Sequence, residues 1–398
     1  MNPRLALLQP YPFEKLRQLF SCVTPNPQFA PINLSIGEPK HATPQFIRDA
    51  LTANLDGLAG YPQTIGRESL RYAIAQWLTR RYGLVGIDPA TQIIPTLGSR
   101  EALFAFAQTM LDGSKPDGLV ICPNPFYQIY EGATLLAGLT PHFINTLAET
   151  GFHLDWTSVP NEVWRRTQLV FTCSPGNPHG AVMSLDEWRD LFALSDKYGF
   201  VIAADECYTE IYFDEGHPPL GALQAAEKLG RKGFPRLVVL GSLSKRSNVP
   251  GMRSGFAAGD AAVIDRFTLY RTYHGSAMGG AIQAASEAAW KDEAHVRDNR
   301  RLYAEKFAAF HHIVNPVLPL TKPAASFYYW VATPIDDQDF AVRLLREANV
   351  TVLPGSLLAR DAHGVNPGKN FVRIALVSSV AESTEAANRI RHFIQNLD

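Results

Sequence analysis

The feature that most constrains this chain is a recurring unit, in which a short apolar, β-branched run stops abruptly in small or polar residues and a helical pattern often follows. Residues 92–97 lead into Gly98-Ser99-Arg100, residues 119–122 into Pro123-Asn124-Pro125, and residues 169–173 into Ser174-Pro175-Gly176-Asn177-Pro178. Residues 200–204 lead into Asp205, residues 237–240 into Gly241-Ser242, and residues 254–259 close the series. These runs read as parallel strands. Between two of them, Ser184-Leu185-Asp186-Glu187 has the form of a capping box, with Leu185, Trp188, Leu191, Phe192 and Tyr198 at roughly helical spacing and Gly199 as the stop. Strand and helix in alternation give an α/β chain with a mostly parallel sheet. In such sheets ligands lie beyond the carboxyl ends of the strands, so the polar residues at those ends are expected to converge on one crevice.

The last third has a different texture. From about residue 281 to 312 the pattern is helical for long enough to bridge two domains; then come a strand-like 326–331, a helix over 339–348, a strand over 371–376 and a closing helix from about Ala381. This predicts a smaller α+β domain. The proline-rich opening, through Asn26-Pro27 and Pro31, reads as an extended arm. The expected organisation is an arm that forms part of the small domain (1–40), a large ligand-binding domain (41–280), and an interdomain helix with the small C-terminal domain (281–398).

A chain of 398 residues with 46% apolar content buries a large core, and 37 basic against 38 acidic side chains leave a formal charge of −1. That balance offers no footprint for nucleic acid or an anionic membrane, so small molecules are the expected partners. Prolines interrupt the N-terminus before a signal-length apolar stretch develops, and no membrane-length run follows, which predicts a cytoplasmic location. Four scattered cysteines, Cys22, Cys122, Cys173 and Cys207, read as reduced thiols, with Cys207 either near the site or a packed bystander. Adjacent His311 and His312 face different ways on a helix and no HxxxH pair occurs, so no metal is expected.

One constellation carries chemistry. Lys245 ends the buried run 237–240, with Ser242 and Ser244 before it and Arg253 eight residues on. Such a lysine is placed to bond covalently to a phosphorylated aldehyde, and the rest of the chain offers a group for each part of pyridoxal 5′-phosphate. Asp205, at the end of an apolar run, needs a cationic partner to stay ionised, and a protonated ring nitrogen supplies one; a carboxylate capping a surface turn is the plainer alternative. Tyr208 and Asn177 are placed to donate to the phenolic oxygen. Ser99 and Arg100 stand where a helix start faces an anion, Arg253 adds a bidentate charge, and Tyr127 is placed to stack on the ring. Arg373 sits in an otherwise apolar strand, where either a buried salt bridge or a substrate α-carboxylate satisfies it; the chemistry needs such a clamp.

Taken together, these residues resemble the fold-type I, pyridoxal-phosphate-dependent aminotransferases of class I/II, over about residues 33–375. The resemblance rests on Lys245 with Arg253, the segment Ser174 to Pro178, Asp205 with Tyr208, and Arg373. It implies that Tyr61, in Gly60-Tyr61-Pro62, reaches the phosphate bound by a neighbouring subunit, and hence a homodimer with shared active sites. It also implies that residues 34–39 cover substrate with the Gly37 backbone near its carboxylate. Segments 9–16, 35–41, 98–104 and 370–376 are similar to bacterial N-succinyldiaminopimelate aminotransferases, which implies amino exchange between glutamate and N-succinyl-2-amino-6-oxopimelate. At the crevice mouth Lys40, His41, Arg100, Arg271 and His274 are candidates for distal carboxylates, or ordinary solvated charges. Another aminotransferase of the family and a carbon–sulfur lyase share the same core residues. A transcription regulator with this fold would need a DNA-binding module, which the charge and the early start of the arm do not accommodate.

Overall fold

The computed structural model describes residues 1–115 and 117–397. In chain order its strands are β1 (Ile32–Asn33), β2 (Ile93–Thr96), β3 (Leu119–Asn124), β4 (Thr140–Asn145), β5 (Thr167–Cys173), β6 (Val201–Asp205), β7 (Leu237–Ser242), β8 (Gly255–Gly259), β9 (Tyr328–Ala332), β10 (Val350–Thr351), β11 (Leu353–Pro354) and β12 (Phe371–Ala375). Seven form one sheet, in the order β2-β8-β7-β6-β5-β3-β4, and β3 to β7 are parallel. Alternate side chains enter the two apolar layers that sandwich the sheet and together make its core. Ile202, Ala204, Leu237 and Val239 face one layer of helices, whereas Ala203, Val238 and Leu240 face the other. Burial on both faces explains why these strands read as continuous apolar runs, each buried Val or Leu contributing roughly 1.5–3 kcal/mol.

Residues 254–259 depart from the expectation of a parallel strand. They form β8, which pairs antiparallel with both β2 and β7. The connection from β7 holds only a short helix, Leu243–Arg246, and a turn, Pro250–Met252, with nothing long enough to cross a face of the sheet, so the chain can only double back. Strand β4 escaped the reading because Thr140-Pro141-His142 opens an edge strand that is largely half-buried or exposed.

The second core gathers Tyr303, Phe307, Phe310, Phe340, Leu344, Ile390 and Phe393 with Ile32 and Leu34 from the N-terminal segment. Tyr208 and Ile211, from the middle of the chain, also enter it. A three-stranded antiparallel sheet, β11-β12-β9, lies in this part, and β1 pairs with β10 through Ile32 and Val350. The opening segment is less extended than its prolines imply. Pro12 starts a helix, Pro12–Leu19, where its missing N–H has no intrahelical acceptor to lose. The expected long helix is two, Gly280–Lys291 and Ala294–Val314, broken at Asp292-Glu293. The first packs on Gln45–Thr52 and Glu68–Tyr82, the second on the closing helix Val380–Gln395, so the break falls where the chain leaves one core for the other. Among the described residues no helix is long and apolar enough to cross a membrane.

Candidate active site

Cys173, Asp205 and Ser242 end β5, β6 and β7, and all three line one cavity of about 530 Å3. The walls bring together Gly37, Ser99, Arg100, Tyr127, Asn177, Asp205, Tyr208, Ser242, Ser244, Lys245, Arg253 and Arg373. Tyr61 and Lys40 stand outside it.

Lys245 lies in the four-residue helix that follows β7, and its Nζ donates to the Gly37 carbonyl at 2.6 Å. Burial, reinforced by the charges of Arg373 and Arg253 and opposed by Cys207 and Glu38, lowers its pKa to about 8. An amine so placed sheds its proton far more readily than one in water. Asp205 is buried, accepting from the Tyr130 hydroxyl at 2.7 Å and from the Cys207 N–H at 3.2 Å. Burial raises its pKa, partly offset by these hydrogen bonds and by the charge of Lys245. It has no ion-pair partner among the described residues, so a cationic ring nitrogen in the cavity fits its chemistry.

The opposite end is suited to an anion. Gly98, at a φ of 80°, turns the chain from β2 into the helix Ser99–Met110, whose first N–H groups lack intrahelical acceptors. A Cβ on Gly98 would lie 2.4 Å from Arg253 Nη2, so the guanidinium presses against the helix start. Arg253 donates to the Pro250 carbonyl at 2.8 Å and has no carboxylate partner among the described residues. The Ser242 hydroxyl donates to that of Ser244 at 2.9 Å and receives the Ser244 N–H at 3.0 Å, which fixes both hydroxyls on the wall. A helix start, an unpaired guanidinium and two hydroxyls match a phosphate in chemistry.

Arg373 comes from β12 and is 4% exposed. It donates to Asn177 Oδ1 at 2.9 Å and to the Ser35 carbonyl at 2.8 Å, while its Nε is buried without a partner. The guanidinium lies over the Tyr328 ring, 4.3 Å from the centroid, and meets no carboxylate among the described residues. Of the two alternatives for a buried arginine, the internal salt bridge is therefore not the one used. Tyr208 and Tyr328 hydroxyls are 3.1 Å apart, and burial pushes the Tyr208 phenol well up. A Cβ on Gly37 would fall 1.8 Å from the Tyr328 hydroxyl, which explains glycine there.

The mouth candidates separate. Arg100 lines the cavity, its Nε donating to the Tyr127 hydroxyl at 2.6 Å. Arg271 is fully buried and bound to Glu101 at 2.6 Å and to the Ser276 carbonyl, a structural pair. His274 turns to Ser276, His41 to Asn299 and Lys306, and Lys40 to Ser378 at 3.2 Å and Glu382 at 3.9 Å. Tyr61 is fully exposed and lines a separate hollow with Gly60, Gly66 and Gln283. Sequence reasoning passed over Tyr130 and Tyr328. An aromatic on a helix or strand looks like core, and only the partners at their hydroxyls, Asp205 and Tyr208, mark them otherwise.

The family model "Aminotransferase class I and II" matches residues 30–390. The chain is 32% identical to the LL-diaminopimelate aminotransferase of Nitratidesulfovibrio vulgaris (strain Hildenborough), covering 97% of each chain. A crystal structure of an aminotransferase from Neisseria meningitidis superimposes with a TM-score of 0.95 at 53% identity, over 98% of this chain and 99% of that one. A probable N-succinyldiaminopimelate aminotransferase from Thermus thermophilus gives 0.82 at 27% identity, over 96% and 98%. With this match running through the strand ends that build the cavity, the chain belongs to the class I and II aminotransferases, pyridoxal-phosphate-dependent enzymes of fold type I that pass amino groups between amino and keto acids.

Proposed function

We propose that this aminotransferase exchanges an amino group between glutamate and N-succinyl-2-amino-6-oxopimelate, in two half-reactions at the Lys245 cavity. Bound pyridoxal phosphate supplies an aldehyde that takes the amino group and a ring that withdraws electrons from the carbon that carried it. Asp205 keeps the ring nitrogen protonated, while Asn177 and Tyr208 hold the phenolic oxygen. Ser99, Ser242, Ser244 and Arg253 hold the phosphate, with Arg100 and Tyr127 beside them. Lys245 would hold the cofactor's aldehyde carbon and, as a free amine, would move the proton at the substrate α-carbon.

The observation that supports the substrate reading is that, besides Lys245 and Arg253, two further cations without carboxylate partners among the described residues line the cavity, Arg373 buried and Arg100 exposed. Arg373 clamps the α-carboxylate, with the Gly37 backbone beside it, and Arg100 receives a distant acidic group. Tyr11, Phe13 and Leu358 line the same cavity and suit the methylene chain between them. Lys40, beside the covering segment, is the remaining candidate for the acyl group's carboxylate. A second reading, unacylated LL-diaminopimelate, draws on the names of the relatives at 32% identity. We place the enzyme in the cytoplasm as a homodimer in which Tyr61 completes the partner's phosphate site.

The test supplies 2-oxoglutarate with either N-succinyl-LL-diaminopimelate or LL-diaminopimelate and follows glutamate formation. A kcat/KM at least about tenfold higher for the succinylated donor, worth about 1.4 kcal/mol, is expected. Preference for the free diamine selects the second reading. Turnover of neither leaves the family and removes both substrates, and release of pyruvate and ammonia without a keto acid indicates lyase chemistry.

A further inference from the structure

Behind the cavity, on the side of the second core, lies a buried polar chain that the proposed reaction does not use. Lys306 is 1% exposed and has no carboxylate within ion-pair distance among the described residues. Its Nζ donates to the Val377 carbonyl at 3.1 Å and lies 2.5 Å from His41 Nε2. His41 Nδ1 lies 2.7 Å from Asn299 Oδ1. Asn299, 2% exposed, passes the chain on, its Nδ2 donating to the carbonyls of Lys245 at 3.2 Å and Arg246 at 3.4 Å. Asn248 Nδ2 donates to the same Asn299 Oδ1 at 3.0 Å.

The donors and acceptors leave one consistent assignment. An ammonium can only donate, so His41 Nε2 accepts and Nδ1 carries the ring proton, which goes to Asn299 Oδ1. With its oxygen accepting twice and its amide nitrogen donating twice, Asn299 has its full complement of four bonds and a single orientation. Asn299 and Lys306 stand two turns apart on the helix Ala294–Val314, with Tyr303 between them on the same face. Tyr303 packs against the His41 ring at 4.8 Å between centroids, tilted by 45°, and lies under the Lys306 ammonium at 4.7 Å. A buried ammonium without a counter-charge is a costly way to hold a helix, since an apolar side chain of similar length serves packing better.

We propose that Asn299 is a positioning residue for Lys245, held in register by His41 and Lys306. By gripping the carbonyls of Lys245 and Arg246 from the second core, it fixes the angle at which the lysine side chain enters the cavity. The inference rests on the family's lysine chemistry and not on which substrate is used.

The test is Lys306→Met in the cofactor-loaded enzyme, read in single turnovers with glutamate, or with LL-diaminopimelate should the unsubstituted protein take that donor. The half-reaction rate is expected to fall by about tenfold or more, with donor affinity changed much less. The pH midpoint of the bound cofactor's absorbance shifts, and the melting temperature holds or rises. An unchanged rate and midpoint overturn the proposal. So does a loss of rate that is matched by a fall in melting temperature, which marks the chain as structural. His41→Asn and His41→Leu keep the question answerable if the methionine variant fails to fold. Asparagine preserves a donor toward Asn299 and is expected to retain most of the rate, leucine does not, and equal rates for the two overturn the proposal.

Discussion

An amine attacks a carbonyl only after it sheds its proton, and Lys245 is buried deeply enough to bring that event near neutrality, at a pKa of about 8. At pH 7 about one lysine in ten is then neutral, against about one in three thousand at an ordinary lysine pKa. The rate at which the apoprotein forms its covalent bond to pyridoxal phosphate should rise about tenfold per pH unit below 8 and flatten above it. Stopped-flow absorbance checks this, and a rise that continues to pH 10 means the amine is not depressed. Lys245→Ala gives no such band at any pH. The sign for folding is opposite to that of a salt-bridged lysine. Between the folded and unfolded pKa values the unfolded chain holds the extra proton, so in the apoprotein this group's contribution to stability improves as pH rises from about 8 to about 10.5.

Among the elements, the turn from β2 into Ser99–Met110 is the most tightly specified. Gly98 combines a positive φ with a Cβ position already occupied by Arg253, so Gly98→Ala must move the guanidinium or the helix start. Such strain costs about 1–3 kcal/mol, and pyridoxal phosphate affinity is expected to fall about tenfold or more while affinity for pyridoxal, which lacks the phosphate, changes little. Equal losses for both ligands would mean that the turn shapes the whole cavity rather than its anion-binding end. The strands that end at the cavity were legible because they are buried on both faces, and Arg373 was legible because a guanidinium interrupts an apolar run. The reversal of β8 was not, since direction depends on what the connection can span and not on the strand's own residues. Tyr130, Tyr328 and Asn299 were equally hidden. Each sits at ordinary core spacing, and its role lies in a hydrogen-bond partner far away in sequence.

At the scale of the molecule, the 530 Å3 cavity draws on both cores, with Asp205 from the large sheet, Lys245 from the short helix that follows β7, and Gly37, Tyr328 and Arg373 from the second body. Tyr61 belongs to neither wall and stands fully exposed near Leu58, itself 77% exposed, as a side chain serving a second copy would. Mixing Lys245→Ala with Tyr61→Phe subunits should create dimers with one wholly native site, raising activity above the average of the two parents. No gain on mixing places Tyr61's effect within its own chain. The pairing of Ile32 with Val350 also sets an order of assembly during synthesis. All seven strands of the large sheet leave the ribosome while Ile32 and Leu34 still lack their partners, and loop closure of that length is slow to reward. A nascent chain of this protein can thus build the anion-binding end of its cavity well before it owns β12 and Arg373. Arg373, the proposed clamp for the substrate's α-carboxylate, is the last of the cavity's cations to be made.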